Sequence, residues 1–364
     1  MKVLIYLGHP AHYHFYKYVV KELEARKHTV YVIIKKKDIL EELLKRGGMK
    51  YINIMLEERK DSRFHIAMSL IKRDIKLFFF CLRHRPDLMI GSSVEITHVG
   101  KALGIPSVVT VEDDITHVKL LAKIGYPFAT RLLVPKGVKV GKFISKTNFY
   151  NGYQKLAYLH PNRFTPDPEK VKHLYQGQDK FFILRLVGFT AYHDAGEAGI
   201  SDDMAERIVR YLEPHGKVYI NAERKIPANL EPYRLPVAVD DIHHAMYYCS
   251  LLIGDSGSMV TEAALLATPS IRHCTLIDFS GIVLELDHRY HLSFGIDLPD
   301  REEVFKKIDE ILAYPDIKAE WMKRREAMLA DKIDVTAFIT WYIENYPKSV
   351  HILNRDPDNQ LRFK

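Results

Sequence analysis

Short apolar runs alternate with longer stretches of helical period along most of this chain. Lys2–Leu7, Thr29–Ile34, Tyr51–Ile54, Asp87–Ile90, Ser107–Val111 and Arg131–Val134 read as buried strands. Between them apolar residues recur every three or four positions. Phe15–Arg26 carries Tyr18, Val19 and Leu23 on one face, and Phe64–Arg85 and Val94–Leu103 follow the same period. Asp38 is placed to cap a helix reaching about Arg46, and a short helix is expected near Ile115. Strands that alternate with helices call for a parallel, doubly wound sheet.

The rhythm then stops and restarts. Asn148–Gln178 holds Tyr150-Asn151-Gly152-Tyr153, His160-Pro161 and Phe164-Thr165-Pro166-Asp167-Pro168, whose prolines exclude a continuous helix and predict an extended connection. A second series follows. Its strands are Phe181–Val187, Lys217–Asn221, Leu251–Ile253 and Ser270–Arg272. Its helices are Ser201–Leu212 with Ser201 as N-cap, Ile242–Cys249, Val260–Leu266 and Arg301–Leu312 capped by Asp300. A long helical pattern from Ile317 to Asn345 breaks near Ile333-Asp334. The expected organisation is two Rossmann-like domains, residues 1–165 and 166–364, whose strand ends face a central cleft.

The 364 residues are 47% hydrophobic, enough for two cores. Cys81, Cys249 and Cys274 are odd in number and far apart, which gives no disulfide framework or metal spacing and points to a reducing cytoplasm. The apolar part of MKVLIYLGHP is too short for a signal peptide, and no stretch is long enough to cross a bilayer. The net charge of +7 is uneven. Residues 1–180 hold 32 Lys/Arg against 17 Asp/Glu, and residues 181–364 hold 21 against 29. A first half this basic suits an anionic partner or merely a solvated surface. No helix-turn-helix, zinc or aromatic RNA-binding signature is present, so nucleic acid is set aside. An anionic membrane surface at the inner face, or a phosphorylated lipid acceptor, fits better. Phe64–Arg85 has too many apolar residues for one narrow stripe, and core burial accounts for most of them. Its flanking Arg63, Lys72, Arg73, Lys76, Arg83 and Arg85 would suit contact with such a membrane.

Candidate chemistry falls at strand ends. Gly254-Asp255-Ser256-Gly257-Ser258 turns the chain from a strand into a helix. Such a loop is either a plain Ser-capped turn or an anion site, where backbone N–H groups and the helix dipole attract phosphate. Glu262, one turn into the helix, is placed to take ribose hydroxyls. The first βα loop brings His9, His12 and His14 together, as structural residues or as a base near neutral pH. Glu112-Asp113-Asp114 follows another strand, with helix capping as its plain reading. After the first strand of the second series come Arg185 and His193, cations suited to a departing diphosphate. Arg185 reads equally as a buried ion-pair partner. Arg272 is a weaker candidate, read by default as a solvated surface residue, and Asp240-Asp241 reads as a helix cap.

Asp255-Ser256-Gly257-Ser258, Glu262-Ala263 and Thr268-Pro269 resemble the nucleotide-sugar loop of the GT-B superfamily. They are similar to the loop of non-hydrolysing UDP-N-acetylglucosamine 2-epimerases and of the transferase that adds N-acetylglucosamine to the lipid-linked peptidoglycan precursor. With Pro10-Ala11-His12, Glu112 and Tyr158-Leu159-His160-Pro161, the pattern resembles a bacterial and archaeal GT-B family related to both. The loop departs at Ser258, where those relatives usually carry glycine, and the first loop lacks the transferases' repeated glycines. The resemblance implies that Ser256, Gly257 and Ser258 hold a diphosphate, with Asp255 and Arg185 in the same nucleotide-sugar site, and Glu262 the ribose. It also implies that His12 is the base, Glu112 an acceptor-positioning group or second base, and His193 a leaving-group stabiliser.

The preceding epimerase acid falls at Ser92, and serine cannot replace it as a proton carrier; Glu95 lies nearby as a substitute. The resemblance therefore favours a glycosyltransferase that uses a UDP-sugar donor, of N-acetylhexosamine type, and a sugar or lipid-linked acceptor in cell-surface polysaccharide or glycolipid synthesis. No cofactor or metal is expected. The alternatives are a UDP-N-acetylglucosamine 2-epimerase and a non-catalytic nucleotide-sugar-binding protein.

Overall fold

The structure, a computed structural model, describes residues 1–35, 39–54, 63–177, 179–188, 198–275 and 280–364, with only the backbone of 63–67. The chain forms two compact units: Met1–Tyr158 with Lys332–Lys364, and Leu159–Asp331. The divide after Tyr158 lies seven residues ahead of the one expected at 165. Leu156 and Ala157 are buried in the first unit, where the Thr336 hydroxyl donates to the Ala157 carbonyl at 2.7 Å.

The first unit runs β1 (Lys2–Leu7), α1 (Pro10–Ala25), β2 (Thr29–Ile34), α2 (Leu40–Arg46), β3 (Ile52–Asn53) and α3 (Arg63–His84). It continues with β4 (Leu88–Gly91), α4 (Glu95–Leu103), β5 (Ser107–Thr110), α5 (Lys119–Ile124), β6 (Arg131–Pro135), β7 (Thr147–Tyr150) and α6 (Leu156–Leu159). Among the described residues the strands form one parallel sheet in the order β3-β2-β1-β4-β5-β6-β7. The chain winds outward from β1, then returns to lay β4 on its other side, so the order switches between β1 and β4. Leu4 and Tyr6 of β1 meet Leu77 and Cys81 of α3 and Ile96 of α4 in the core on one face.

Two elements of the first unit differ from the periodicity. Helix α1 starts at Pro10, five residues ahead of the apolar pattern. Pro10 suits the first turn, and His9 caps the helix by accepting the Ala11 N–H at 3.2 Å. Strand β7 lies in the stretch expected as a connection. Its Asn148 is buried and bonded to Asn354 and Tyr342, both at 3.0 Å, partners almost two hundred residues away. The expected cap Asp38 lies outside the described residues.

The second unit runs β8 (Phe181–Leu186), α7 (Asp202–Leu212), β9 (Lys217–Ala222), α8 (Ile242–Tyr248), β10 (Leu251–Gly254) and α9 (Gly257–Leu265). Then come β11 (Ser270–His273), α10 (Gly281–His288), β12 (Ser293–Ile296), α11 (Arg301–Leu312) and α12 (Ile317–Asp331). Among the described residues these strands also form one parallel sheet, ordered β12-β11-β10-β8-β9, with the switch between β8 and β10. Ser201 caps α7 as expected, accepting the Met204 N–H at 3.2 Å. Asp300 precedes α11 but makes no side-chain cap bond. Strand β12 follows the last strand that periodicity predicts. Too short and polar to stand out, it forms because β11 offers a free edge.

The chain then returns to the first unit. Asp334, at the predicted break, caps α13 (Val335–Glu344) by accepting the Ala337 N–H at 3.0 Å, and α14 (Lys348–Arg355) follows.

Helix α12 closes the far end of α9. Lys318 donates to the carbonyls of Tyr247, Leu266 and Ala267 at 2.7, 3.0 and 3.0 Å, and Arg325 Nε to Leu265 at 2.6 Å. These are carbonyls that helix ends leave open, and cations there suit the negative end of the dipole. Lys318→Met keeps the stem and removes the ammonium. It should destabilise the protein by about 3 kcal/mol, read from urea denaturation, because buried acceptors lose their donors.

Candidate functional site

In the second unit the switch point sits between β8 and β10, where ligands of open α/β sheets bind beyond the strand ends. Gly254 ends β10, in register with Arg185 on one side and Arg272 on the other. A Cβ on Gly254 would lie 2.7 Å from Arg185 Cβ and 3.0 Å from its carbonyl oxygen, so only glycine lets the strands close here. Ser256 then caps α9, its hydroxyl accepting the Met259 N–H at 3.3 Å. The helix thus opens at Gly257, three residues before the Val260 start that periodicity gives. The N–H groups of Gly257 and Ser258 precede the first intrahelical acceptor, and Ser258 is exposed. This is the geometry of an anion site.

Asp255 is not aimed at that mouth. Its carboxylate is buried, one oxygen accepting Val187 N–H at 2.8 Å and the other Ile200 N–H at 3.1 Å. It therefore joins the backbone at Val187 to that at Ile200. Burial pushes its carboxyl up to about 6, against the opposing pull of those two N–H groups.

Glu262 Oε1 lies 3.3 Å from His243 Nε2 of α8, both side chains nearly buried. The carboxylate thus points along the helix surface towards α8. Periodicity gave no sign of this His243 contact, because only the packing of α8 on α9 creates it. Asp241 precedes α8 without a side-chain cap bond and instead pairs with Lys170 at 2.6 Å. The Phe164 ring sits 4.9 Å from that of His244, whose Nδ1 accepts the Asp167 N–H at 3.0 Å.

The arginines are ion-pair partners. Arg185 is buried, with its Nη atoms on Asn221 and Glu223 of the β9 edge, and its buried Nε has no partner among the described residues. Arg272 is 1% exposed, not solvated as expected, because Asp287 receives it at 3.3 Å in the core. His193 lies outside the described residues.

In the first unit a polar cluster gathers at the switch between β1 and β4. Gly8 N–H donates to His12 Nδ1 at 3.0 Å. The neutral ring therefore carries its proton on Nε2 and is a donor there, so abstracting a proton at Nε2 would first require breaking the Gly8 bond. The stem of Lys35 lies against the same glycine. His9 caps α1, and His14 stacks near Tyr13 and Tyr158.

Across the switch, Glu95 at the start of α4 is 4% exposed and paired with Arg73, with Ser93 Oγ at 2.7 Å and Tyr6 Oη at 3.3 Å. Burial alone would raise its carboxyl, but Arg73 and Lys35 more than offset this and hold it below the ordinary value. Ser92 donates to the Thr110 carbonyl. Glu112 receives the Gln154 N–H at 2.7 Å and the Lys155 ammonium at 2.6 Å, one on each oxygen. Asp114 accepts the Lys139 N–H at 2.8 Å. The acids at these strand ends tie loops together.

A model of the family described as a protein of unknown function, DUF354, matches residues 1–313. The chain belongs to the DUF354 family. No curated protein matches its sequence. Among solved structures it is similar to UDP-GlcNAc 2-epimerase from Neisseria meningitidis bound to UDP-GlcNAc, at 15% identity and TM-score 0.64, covering 90% of this chain and 94% of that one. The UDP-GlcNAc 2-epimerase of Methanocaldococcus jannaschii matches at 13% identity and TM-score 0.62, covering 90% and 100%. The spinosyn rhamnosyltransferase SpnG, complexed with spinosyn aglycone, matches at 15% identity and TM-score 0.59, covering 93% and 99%. The DUF354 chain thus has a GT-B fold, with two parallel α/β units.

Of the predicted site residues, this DUF354 protein brings Ser256, Gly257, Ser258 and Glu262 to one helix end, beside Arg185. It gives Asp255 and Glu112 to loop anchoring and leaves His12 in the other unit's polar cluster. The Asp255 carboxyl titrates higher folded than unfolded, so its stabilising contribution is complete below its ordinary value near 3.8 and lost as pH rises through about 6. From this group alone, stability should fall by about 2 kcal/mol between pH 4 and 7. Asp255→Asn should flatten that slope in denaturation curves taken across the range.

Proposed function

We propose that this protein transfers a sugar, of N-acetylhexosamine type, from a UDP-sugar donor to a sugar or lipid-linked acceptor in cell-surface polysaccharide or glycolipid synthesis. The observation that carries this reading is the mouth of α9. Two open N–H groups follow a Ser cap, and Glu262 stands on the next turn. That arrangement suits a diphosphate with a ribose attached. The backbone mouth and the dipole of α9 would stabilise the leaving diphosphate without a metal ion. Among the described residues no three His, Cys, Asp or Glu side chains gather to hold one.

The environment of the acids favours transfer over epimerisation. Epimerisation at C2 must remove a proton and return one to the opposite face, and so needs carboxyl groups able to exchange protons. Ser92 has no such group, Glu112 has both oxygens engaged, and Glu95 is a buried ion pair. His12 serves transfer as an Nε2–H donor to a substrate oxygen.

UDP and UDP-N-acetylglucosamine should raise the melting temperature by several degrees, and Glu262→Ala should weaken binding at least about tenfold. No shift with any nucleoside diphosphate or nucleotide sugar would overturn the nucleotide site. Incubation with UDP-N-acetylglucosamine in D₂O should leave C2 unlabelled; deuterium there would assign the protein to epimerisation instead. With an acceptor in hand, His12→Gln, which keeps a donor, should retain far more activity than His12→Ala. Equal loss in both would restore the base role.

A further inference from the structure

The outer face of α3 carries an apolar stripe that the fold does not bury. Its inner residues Leu77 and Cys81 enter the core, as the sequence led one to expect of most of this helix. Met68, Ile71, Ile75, Phe79 and Leu82 do not. Ile71 and Ile75 are about half exposed, at 50% and 51%, and Phe79 is 65% exposed. At 100° per residue these five positions fall within an arc of about 80°, along a length of about 21 Å. Lys72, Lys76 and Arg83, all exposed, follow on one flank of that arc. The only acid between Met68 and His84 is Asp74, and its carboxylate is turned to His98 at 2.8 Å. Large apolar side chains in a row, beside cations and with no exposed acid, are unusual on a free surface.

We propose that this face of α3 lies on an anionic lipid bilayer, with the five apolar side chains in the headgroup boundary and Lys72, Lys76 and Arg83 on the lipid phosphates. Charge decides the occupant. A second copy docking through the same face would bring its own cations and no acid to meet them, whereas an anionic bilayer complements both halves of the stripe. The excess of basic residues in positions 1–180 adds attraction of the same sign. No helix among the described residues is long and apolar enough to cross a membrane, so the contact is one of lying on the surface.

The test is co-sedimentation of the full chain with vesicles of phosphatidylcholine, with and without phosphatidylglycerol. Binding should be at least about tenfold tighter with the anionic lipid and should fall steeply between about 50 and 500 mM NaCl. Ile75→Glu and Phe79→Glu change exposed positions, so they should keep the wild-type circular dichroism and melting temperature and lose at least about tenfold in partitioning. Ile144→Glu, an equally exposed apolar position outside α3, should bind like wild type. Absence of binding, equal binding to both vesicle types, or α3 variants that bind like wild type would overturn the proposal. So would a dimer in light scattering that Phe79→Glu dissolves, which would give the stripe to a second copy.

Discussion

Each sheet depends on the close approach of two parallel strands at the point where the strand order switches. In the second unit the approach occurs between Arg185 and Gly254, and any side chain on the glycine would collide with the arginine's Cβ and carbonyl. The first unit repeats the arrangement. Gly91 faces Tyr6 at φ +154°, and a Cβ there would lie 2.5 Å from the Tyr6 carbonyl oxygen. Because the strands close at these points, the loops that leave them open side by side at one edge. The polar residues of both units gather at those two edges.

Helix α9 shows how the constraint passes into chemistry. Its N-terminus is placed by the strand that Gly254 lets in, and its first turn is shaped by the Ser256 cap. Its C-terminus is closed by Lys318 and Arg325. The negative end is satisfied by protein cations, and the positive end opens on the Ser256 cap. Asp255 accepts the Val187 and Ile200 N–H groups, and burial gives that carboxylate a raised affinity for protons.

The charged residues at the strand ends illustrate a general cost. A buried ion without a partner is expensive, so Glu95 has Arg73, Arg272 has Asp287, and Arg185 has Asn221 and Glu223. The same side chains, read along the sequence, look like catalytic acids and phosphate-binding cations. In the folded chain each of them also holds a partner. Glu112 looks free at the end of a strand, yet it joins that strand end to the turn at Gln154 and Lys155.

What the sequence determined by itself was the alternation of strands and helices in two series and the Ser–Gly loop with its following Glu262. These follow from local period, caps and turn residues, which act between near neighbours along the chain. It could not reveal β7, whose Asn148 is satisfied by Asn354 and Tyr342, or β12, which needs the edge of β11. Nor could it reveal the pairing of Glu262 with His243, the Nε2–H form of His12, or which apolar residues of α3 face outward. Those depend on contacts between residues distant in sequence. Only the folded chain brings them together and sets the proton position, the charge partner and the exposure of each side chain.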